Sequence, residues 1–319
     1  MTEVKNADYW IASPFCSGRY QVNLPTNRKG GTGWLKYDGW EIKALPDYWS
    51  GRIEDILDVE KTGNDGGNRF IERRTLIPGK AIVDVTGANF NWETSVSVMQ
   101  GKGMPYFTNL NFKLGKNDVY IVSGFFQIPG ENNRKPHNLK QLEKNKIDDI
   151  VKHYRNSFLD NLRDRADNEI PQQQGICLPD GFISDKGNEP FFGKVGIKIK
   201  DYRDVYVNLT TGGSLDEDDK PLLKRDAAKS NSALGRILQW AKYSTIRQGA
   251  RVVNGMTGDE KLIKWQGKRY LFIWEKNDGS VRFSMSFGIN DKNSQGSPLS
   301  EKEALVAWDT VLPTLKKRI

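Results

Sequence analysis

The chain has 319 residues, a formal net charge of +8, and only two Cys and two His. So few thiols and imidazoles exclude a zinc finger, a cysteine-rich scaffold and most all-protein zinc sites. No stretch approaches the roughly 18 consecutive apolar residues of a membrane span, and at roughly 100–200 residues per domain the length predicts two domains.

The first half reads as strands. Arg19 to Leu24 alternates in character and stops at Pro25, and Gly39 to Leu45 alternates too. So do Ala81 to Thr86, Trp92 to Val98 and Tyr106 to Phe112, while Val119 to Phe126 is more continuously apolar. Gly, Asn and Pro separate these runs, as antiparallel hairpins require. Arg52 to Glu60 reads as a short helix with Ile53, Ile56 and Leu57 on one face. A long amphipathic helix is predicted from about Leu139 to Arg165, where Ile147, Ile150, Val151, Tyr154, Phe158 and Leu162 recur at three- and four-residue steps. The polar stretch 168–175, with its Pro and Gly, marks a domain boundary.

The second half opens at Ile176 to Ile183, with strands predicted at Gly193 to Lys200 and Val205 to Thr211. An acidic loop, Asp216-Glu217-Asp218-Asp219, precedes a helix from about Pro221 to Tyr243. Strands follow near Gln248–Val253, Asp259–Trp265, Lys268–Glu275 and Val281–Phe287. Ser300-Glu301-Lys302-Glu303 is a capping box that starts the last helix. Its apolar face is Leu305, Trp308, Leu312 and Leu315; Pro313 kinks it, and Lys316-Lys317-Arg318 suit the negative pole of its dipole. The expected class is α+β twice over: domains 1–170 and 171–319, each an antiparallel sheet packed with one or two helices.

The signatures of common enzymes are missing. There is no G-x-S-x-G elbow, no phosphate-binding P-loop and no H-E-x-x-H helix. His137 lies in a polar loop and His153 on the flank of the long helix, neither with a neighbour that would complete a triad. The loop Asp216–Asp219 lacks the spacing of a calcium-binding EF-hand and reads as a solvated loop or one that presents charge to a partner. Two readings of Cys16 and Cys177 stand open: one disulfide in an oxidising compartment, or two small buried hydrophobes in a reducing one. The positive charge is mild and spread, with short basic clusters such as Arg73-Arg74, so no nucleic-acid partner is expected. Nine Trp and eleven Tyr supply the core and leave a fraction for exposed loops, Tyr48-Trp49 and Tyr202-Arg203 among them. Tyr, Trp and Arg dominate interface hot spots. These four residues and Asp216, Glu217, Asp218 and Asp219 are the expected partner contacts. No cofactor and no metal are expected.

Three segments together carry a resemblance. They are Phe15-Cys16-Ser17-Gly18-Arg19-Tyr20 with its strand to Pro25, the run Arg247-x-Gly249-x-Arg251-x-Val253-x-Gly255-x-x-Gly258-x-Glu260, and the closing Ala304-Leu305-x-x-Trp308-Asp309. Their order and spacing resemble the immunity proteins of type VI secretion lipase effectors, the Tli family, most strongly over 176–319. Each motif also has a structural reading. Gly255 and Gly258 bracket a turn, Arg251 and Glu260 form a cross-strand pair on either side of it, and Trp308 anchors the last helix.

The resemblance implies a non-enzymatic protein that binds a cognate phospholipase effector, as a 1:1 heterodimer, and occludes its active site or lid. It implies a periplasmic protein. The N-terminus Met1 to Trp10 has no apolar signal core, so the expectation is a leader or lipid anchor outside this sequence, with a cytoplasmic pool as the alternative. Two other functions remain as runners-up: a cytosolic chaperone or activator of the effector, and an unrecognised hydrolase.

Overall fold

A computed structural model of the chain describes residues 7–30, 34–38, 40–44, 68–88, 103–114, 118–129, 136–166, 168–178, 180–187, 189–212, 222–224, 243–265, 268–289 and 296–318. It is mostly antiparallel sheet with few helices, the α+β character expected. In chain order, helix α1 (Ala7–Trp10) precedes β1 (Ser13–Ser17), β2 (Tyr20–Leu24), β3 (Arg28–Gly30), β4 (Trp34–Tyr37) and β5 (Trp40–Ala44). Then come β6 (Asn68–Ile77), β7 (Ala81–Ala88), β8 (Met104–Leu114), β9 (Asp118–Ile128), helix α2 (Leu139–Ser157) and β10 (Leu162–Asp164). The rest is β11 (Gly175–Leu178), β12 (Gly181–Ser184), β13 (Phe191–Ile199), β14 (Val205–Thr211), β15 (Tyr243–Val253), β16 (Met256–Trp265), β17 (Arg269–Lys276), β18 (Val281–Phe287), α3 (Glu301–Val311) and β19 (Lys316–Lys317). The strand expected at Trp92–Val98 and the helix at 52–60 lie outside the described residues. So does most of the helix expected at 221–243, of which Leu222–Lys224 forms a 3-10 turn.

The chain forms two compact units, residues 36–165 with 180–185, and residues 1–35 with 166–179 and 186–319. In the first, five strands run in the order β5-β9-β8-β7-β6. Helix α2 covers one face. Tyr154 Oη meets Thr108 Oγ1 at 2.8 Å, and Tyr106 Oη donates to Glu143 Oε1 at 2.7 Å. Arg74 pairs with Asp148 on the helix, and Arg155 donates to the Leu76 carbonyl. Gly124 sits beneath this contact: a Cβ there would lie 2.6 Å from Thr108 Oγ1 and 2.8 Å from Tyr154 Oη. The helix is shorter than its periodicity suggests. Phe158 leaves helical geometry (φ −130°, ψ −68°), and Leu162 is extended in β10, which pairs with β12. Leu162 keeps the helical spacing but serves a strand.

In the second unit, six strands run in the order β15-β16-β17-β18-β14-β13, with β3 also paired to β13. Strand β17 is buried at nearly every position, so both faces of the sheet are covered here. Leu271 and Ile273 pack with Leu222, Ile263 and Trp265 on one face. On the other, Phe272 and Phe283 meet Trp308 of α3 at ring distances of 5.9 and 5.7 Å. The α3 cap is as expected: Glu303 N–H donates to Ser300 Oγ, and Ser300 N–H donates to the Glu303 carboxylate at 2.7 Å. Two expectations at the C-terminus are corrected. Pro313 does not kink α3; the helix ends at Val311, and Pro313 lies in a following 3-10 turn, where its fixed φ fits and its missing N–H is not needed. Lys316 and Lys317 do not serve the helix dipole, because they form β19 against β2. The buried helix face is Ala304, Ala307, Trp308, Val311 and Leu312, with Leu305 only half-buried.

Candidate partner interface

The Arg-Gly-Arg run builds a charged hub on β15 and β16. Gly249 stands directly opposite Glu260 in the register, with Arg247 and Arg251 two residues to either side on the same face. Both guanidinium groups reach the one carboxylate. Arg247 Nε donates to Glu260 Oε2 at 2.6 Å, and Arg251 pairs with Glu260 Oε1. Trp308 Nε1 donates to Glu260 Oε1 at 2.7 Å from the buried face of α3. Asp309, next on that helix, accepts from Arg247 at 2.6 and 3.0 Å and from Arg251 at 2.9 Å.

The electrostatics follow from these bonds. Burial alone would push the Asp309 carboxyl up, but hydrogen bonds from Arg247 and Arg251 outweigh it and hold it below the usual carboxylate range. Arg247 is held more firmly protonated, chiefly by its bond to Asp309 and then by Glu260, against the effect of burial. Both carboxylates are ion-paired to the two arginines. The hub fixes α3 to the outer strands of its sheet and leaves Asp309 and the Arg247 side chain about 41% exposed.

The cross-strand pair Arg251–Glu260 is therefore present, as the motif suggests, and Asp309 joins it. The turn differs. Asn254 (φ 46°) and Gly255 (φ 78°) make it, the arrangement that a two-residue Asn-Gly hairpin requires. Gly258 is not part of it but lies inside β16. A Cβ there would stand 2.4 Å from the Glu275 carbonyl oxygen and 2.7 Å from the Trp274 indole. That indole crosses the strand to donate from Nε1 to the Arg251 carbonyl at 3.0 Å. Gly258 is needed for close approach, a demand that turn propensity does not signal.

Cys16 and Cys177 are joined in a disulfide, with Cα atoms 5.8 Å apart. Beside it Gly18 and Cys177 exchange two backbone hydrogen bonds of 2.9 Å. Arg318 is buried against the same corner. Its guanidinium donates to the carbonyls of Pro171, Gln173 and Gly175, and its N–H donates to the Arg19 carbonyl at 2.8 Å. The Pro-Gln-Gln-Gln-Gly stretch is thus pinned along its length by one side chain.

The expected contact residues fall differently. Tyr48, Trp49 and Asp216, Glu217, Asp218 and Asp219 lie outside the described residues. Arg203 is exposed. Tyr202 is not the exposed loop aromatic expected: it is 4% exposed and stacks on Trp10 at 5.4 Å with the rings nearly parallel. Tyr9 closes this cluster, donating to Asp201 at 2.8 Å. Trp10, Tyr202, Leu299, Ser300, Lys302, Glu303 and Val306 line a cavity of about 330 Å³. Burial pushes the Tyr202 hydroxyl pKa up, with Glu303 and Asp201 adding to the shift. His137 and His153 are both exposed, and His153 Nδ1 is 3.2 Å from Ser157 Oγ. Among the described residues no group of three His, Cys, Asp or Glu is arranged to hold a metal.

Comparison with known proteins gives a family match over the C-terminal part of the chain and a likeness of fold over nearly all of it. Residues 169–319 match the family described as Tle cognate immunity protein 4 C-terminal domain. No curated protein matches the chain. Among solved structures, the apo immunity protein TplEi of the type VI secretion system from Pseudomonas aeruginosa is 18% identical, with a TM-score of 0.63 over 96% of this chain and 97% of that one. TplEi complexed with an "L" peptide is 20% identical, with a TM-score of 0.60 over 98% and 99%. A chain of a Tle4–Tli4 complex is 18% identical, with a TM-score of 0.62 over 98% and 99%.

Proposed function

We propose, from the match of residues 169–319 to the Tle cognate immunity protein 4 C-terminal domain, that this protein is an immunity protein. It binds and neutralises a cognate type VI secretion lipase effector. The family match carries the reading, and the likeness of fold over nearly the whole chain supports it. The solved relatives include one bound to a peptide and one in a Tle4–Tli4 complex, both consistent with action by binding. The protein acts as a stoichiometric 1:1 inhibitor and not as an enzyme. Covering the effector's active site or restraining its lid excludes lipid from the catalytic groups.

The proposed site of action is the periplasm. The Cys16–Cys177 bond supports an oxidising compartment, and no described helix is long and apolar enough to cross a membrane. Arg203, with Tyr48, Trp49 and Asp216 to Asp219, remains a proposed contact position. The buried Tyr202 is proposed to act indirectly, by holding the Arg203 loop.

The test is co-purification with the product of the adjacent gene, followed by a phospholipase assay with and without the protein. Activity falling to the baseline at a 1:1 ratio is the expected result. Increased activity would instead identify an activator, and no complex would remove the immunity reading.

A further inference from the structure

The face of the β5-β9-β8-β7-β6 sheet opposite α2 carries an aromatic row. In the register Phe70 stands opposite Thr86, Thr86 opposite Phe107, and Phe107 opposite Phe125. One line of side chains thus crosses β6, β7, β8 and β9, a span of three strand spacings or about 14 Å. Phe70 is 50% exposed, Phe107 40% and Phe125 57%. The Phe107 and Phe125 rings lie 5.5 Å apart.

Phe70 joins this row through a defect in the strand. Phe70 and Arg73 are three residues apart, so in a regular strand they would face opposite ways. The register shifts between Phe70 and Glu72, and this bulge turns both residues to the same face. Glu72 and Arg74 point to the α2 side, where Arg74 pairs with Asp148. A bulge that re-aims an aromatic ring into solvent adds nothing to the core.

A polar row runs alongside. Arg73 donates twice to Asp84, at 2.6 and 3.1 Å, and Ser123 Oγ donates to Asn109 Oδ1 at 3.0 Å. The backing is rigid: on the reverse side of the same strands Tyr106 and Phe126 stack at 4.8 Å. An aromatic centre beside a hydrogen-bonded polar border is the anatomy of a protein interface.

We infer that the row Phe70–Phe107–Phe125 is the docking surface for the apolar rim of the lipase effector's acyl-chain entrance. The inference rests on the immunity reading. An enzyme that admits acyl chains from a lipid surface must itself present apolar surface at the mouth of its site. A complementary apolar row covers that mouth and keeps lipid out. The three exposed rings offer about 300 Å² of apolar surface, the size of a functional patch. A stable interface buries about 800 Å² per partner, so this row forms the centre of a larger contact.

The experiment measures by calorimetry the affinity of the full chain for the lipase that co-purifies with it. The double variant Phe107→Ser with Phe125→Ser is compared with Val252→Ser, which removes an exposed apolar side chain from β15. Unchanged circular dichroism and melting confirm folding. The expected result is a Kd at least about 30-fold higher for the double variant, with Val252→Ser within about threefold of the original chain. Retained affinity in the double variant overturns the inference and leaves the immunity reading intact. Failure of the unaltered chain to bind the lipase removes the immunity reading itself. Sedimentation and flotation with phosphatidylethanolamine–phosphatidylglycerol vesicles test other occupants. If the double variant loses self-association or vesicle binding while its lipase affinity is unchanged, the row serves another copy or a membrane, and the inference is overturned.

Discussion

Trp308 and Glu260 are 48 residues apart in sequence, and the indole N–H of one donates to the buried carboxylate of the other at 2.7 Å. The ring rests between Phe272 and Phe283, so one side chain is at once core filler and hydrogen-bond donor. Glu260, whose side chain is only 5% exposed, also accepts from Arg247 and Arg251.

Removing that carboxylate leaves an indole N–H without its acceptor and two arginines without their shared partner. Glu260→Ala is expected to cost about 3 kcal/mol, the usual penalty for breaking a buried charged pair. Partial exposure of the arginines favours the low end. Urea unfolding checks this: the midpoint falls while the m-value holds.

Gly258→Ala drives a methyl into the Glu275 carbonyl and the Trp274 indole. The substitution is expected to destabilise by about 1–3 kcal/mol, the range for overpacking. The indole must also shift from its bond to Arg251, so tryptophan fluorescence in the folded state should change together with the urea midpoint.

The disulfide closes a loop of sequence separation 161. Replacing both cysteines by Ala is expected to lower stability by about 2–5 kcal/mol, chiefly by freeing the unfolded chain. Urea unfolding of the original chain under reducing conditions should match that of the variant.

Acid sensitivity follows from carboxyls held low in the fold. Asp309 and Asp278 both lie below their ordinary value of 3.8. At Asp278 burial acts upward, but bonds from Lys276 and Ser280 bring it to about 2. Glu303 lies below 4.5 because of its bonds to Ser300. Lowered folded values mean the stabilisation is fully present above the ordinary values and is lost as pH falls through the folded ones. The urea midpoint should therefore drop from about pH 4.5 down to about pH 2, and less steeply in Asp278→Asn. An equal slope in that variant would contradict the assignment.

Local patterns made several elements readable in advance. Alternation marked Val281–Phe287 to the residue, and the capping box marked the start of α3. The Arg251–Glu260 pair was legible because Gly255 signalled a turn with a strand on either side, although the pair is diagonal in the register and Gly258 lies outside the turn. Features set by distant chain were not. Nothing near Gly258 announces Trp274, and nothing near Tyr202 announces that Trp10 will stack on it. Leu162 keeps helical spacing yet belongs to a strand because its partner, Ile183, comes from another part of the chain. The aromatic row escaped because its members come from three strands, and the bulge after Phe70 breaks the alternation that would have assigned it a face.

Residues 36–165 lie wholly between Cys16 and Cys177 in the chain. The five-stranded sheet and α2 of the first unit are therefore carried on a covalently closed ring, and only residues 180–185 of that unit lie beyond it. Tension applied at the two ends of the polypeptide passes through the sulfur bridge and bypasses the ring, reaching that unit only through residues 180–185, whose strand β12 pairs with β10. A protease that nicks the ring once leaves a single molecule, which separates into two fragments only after reduction.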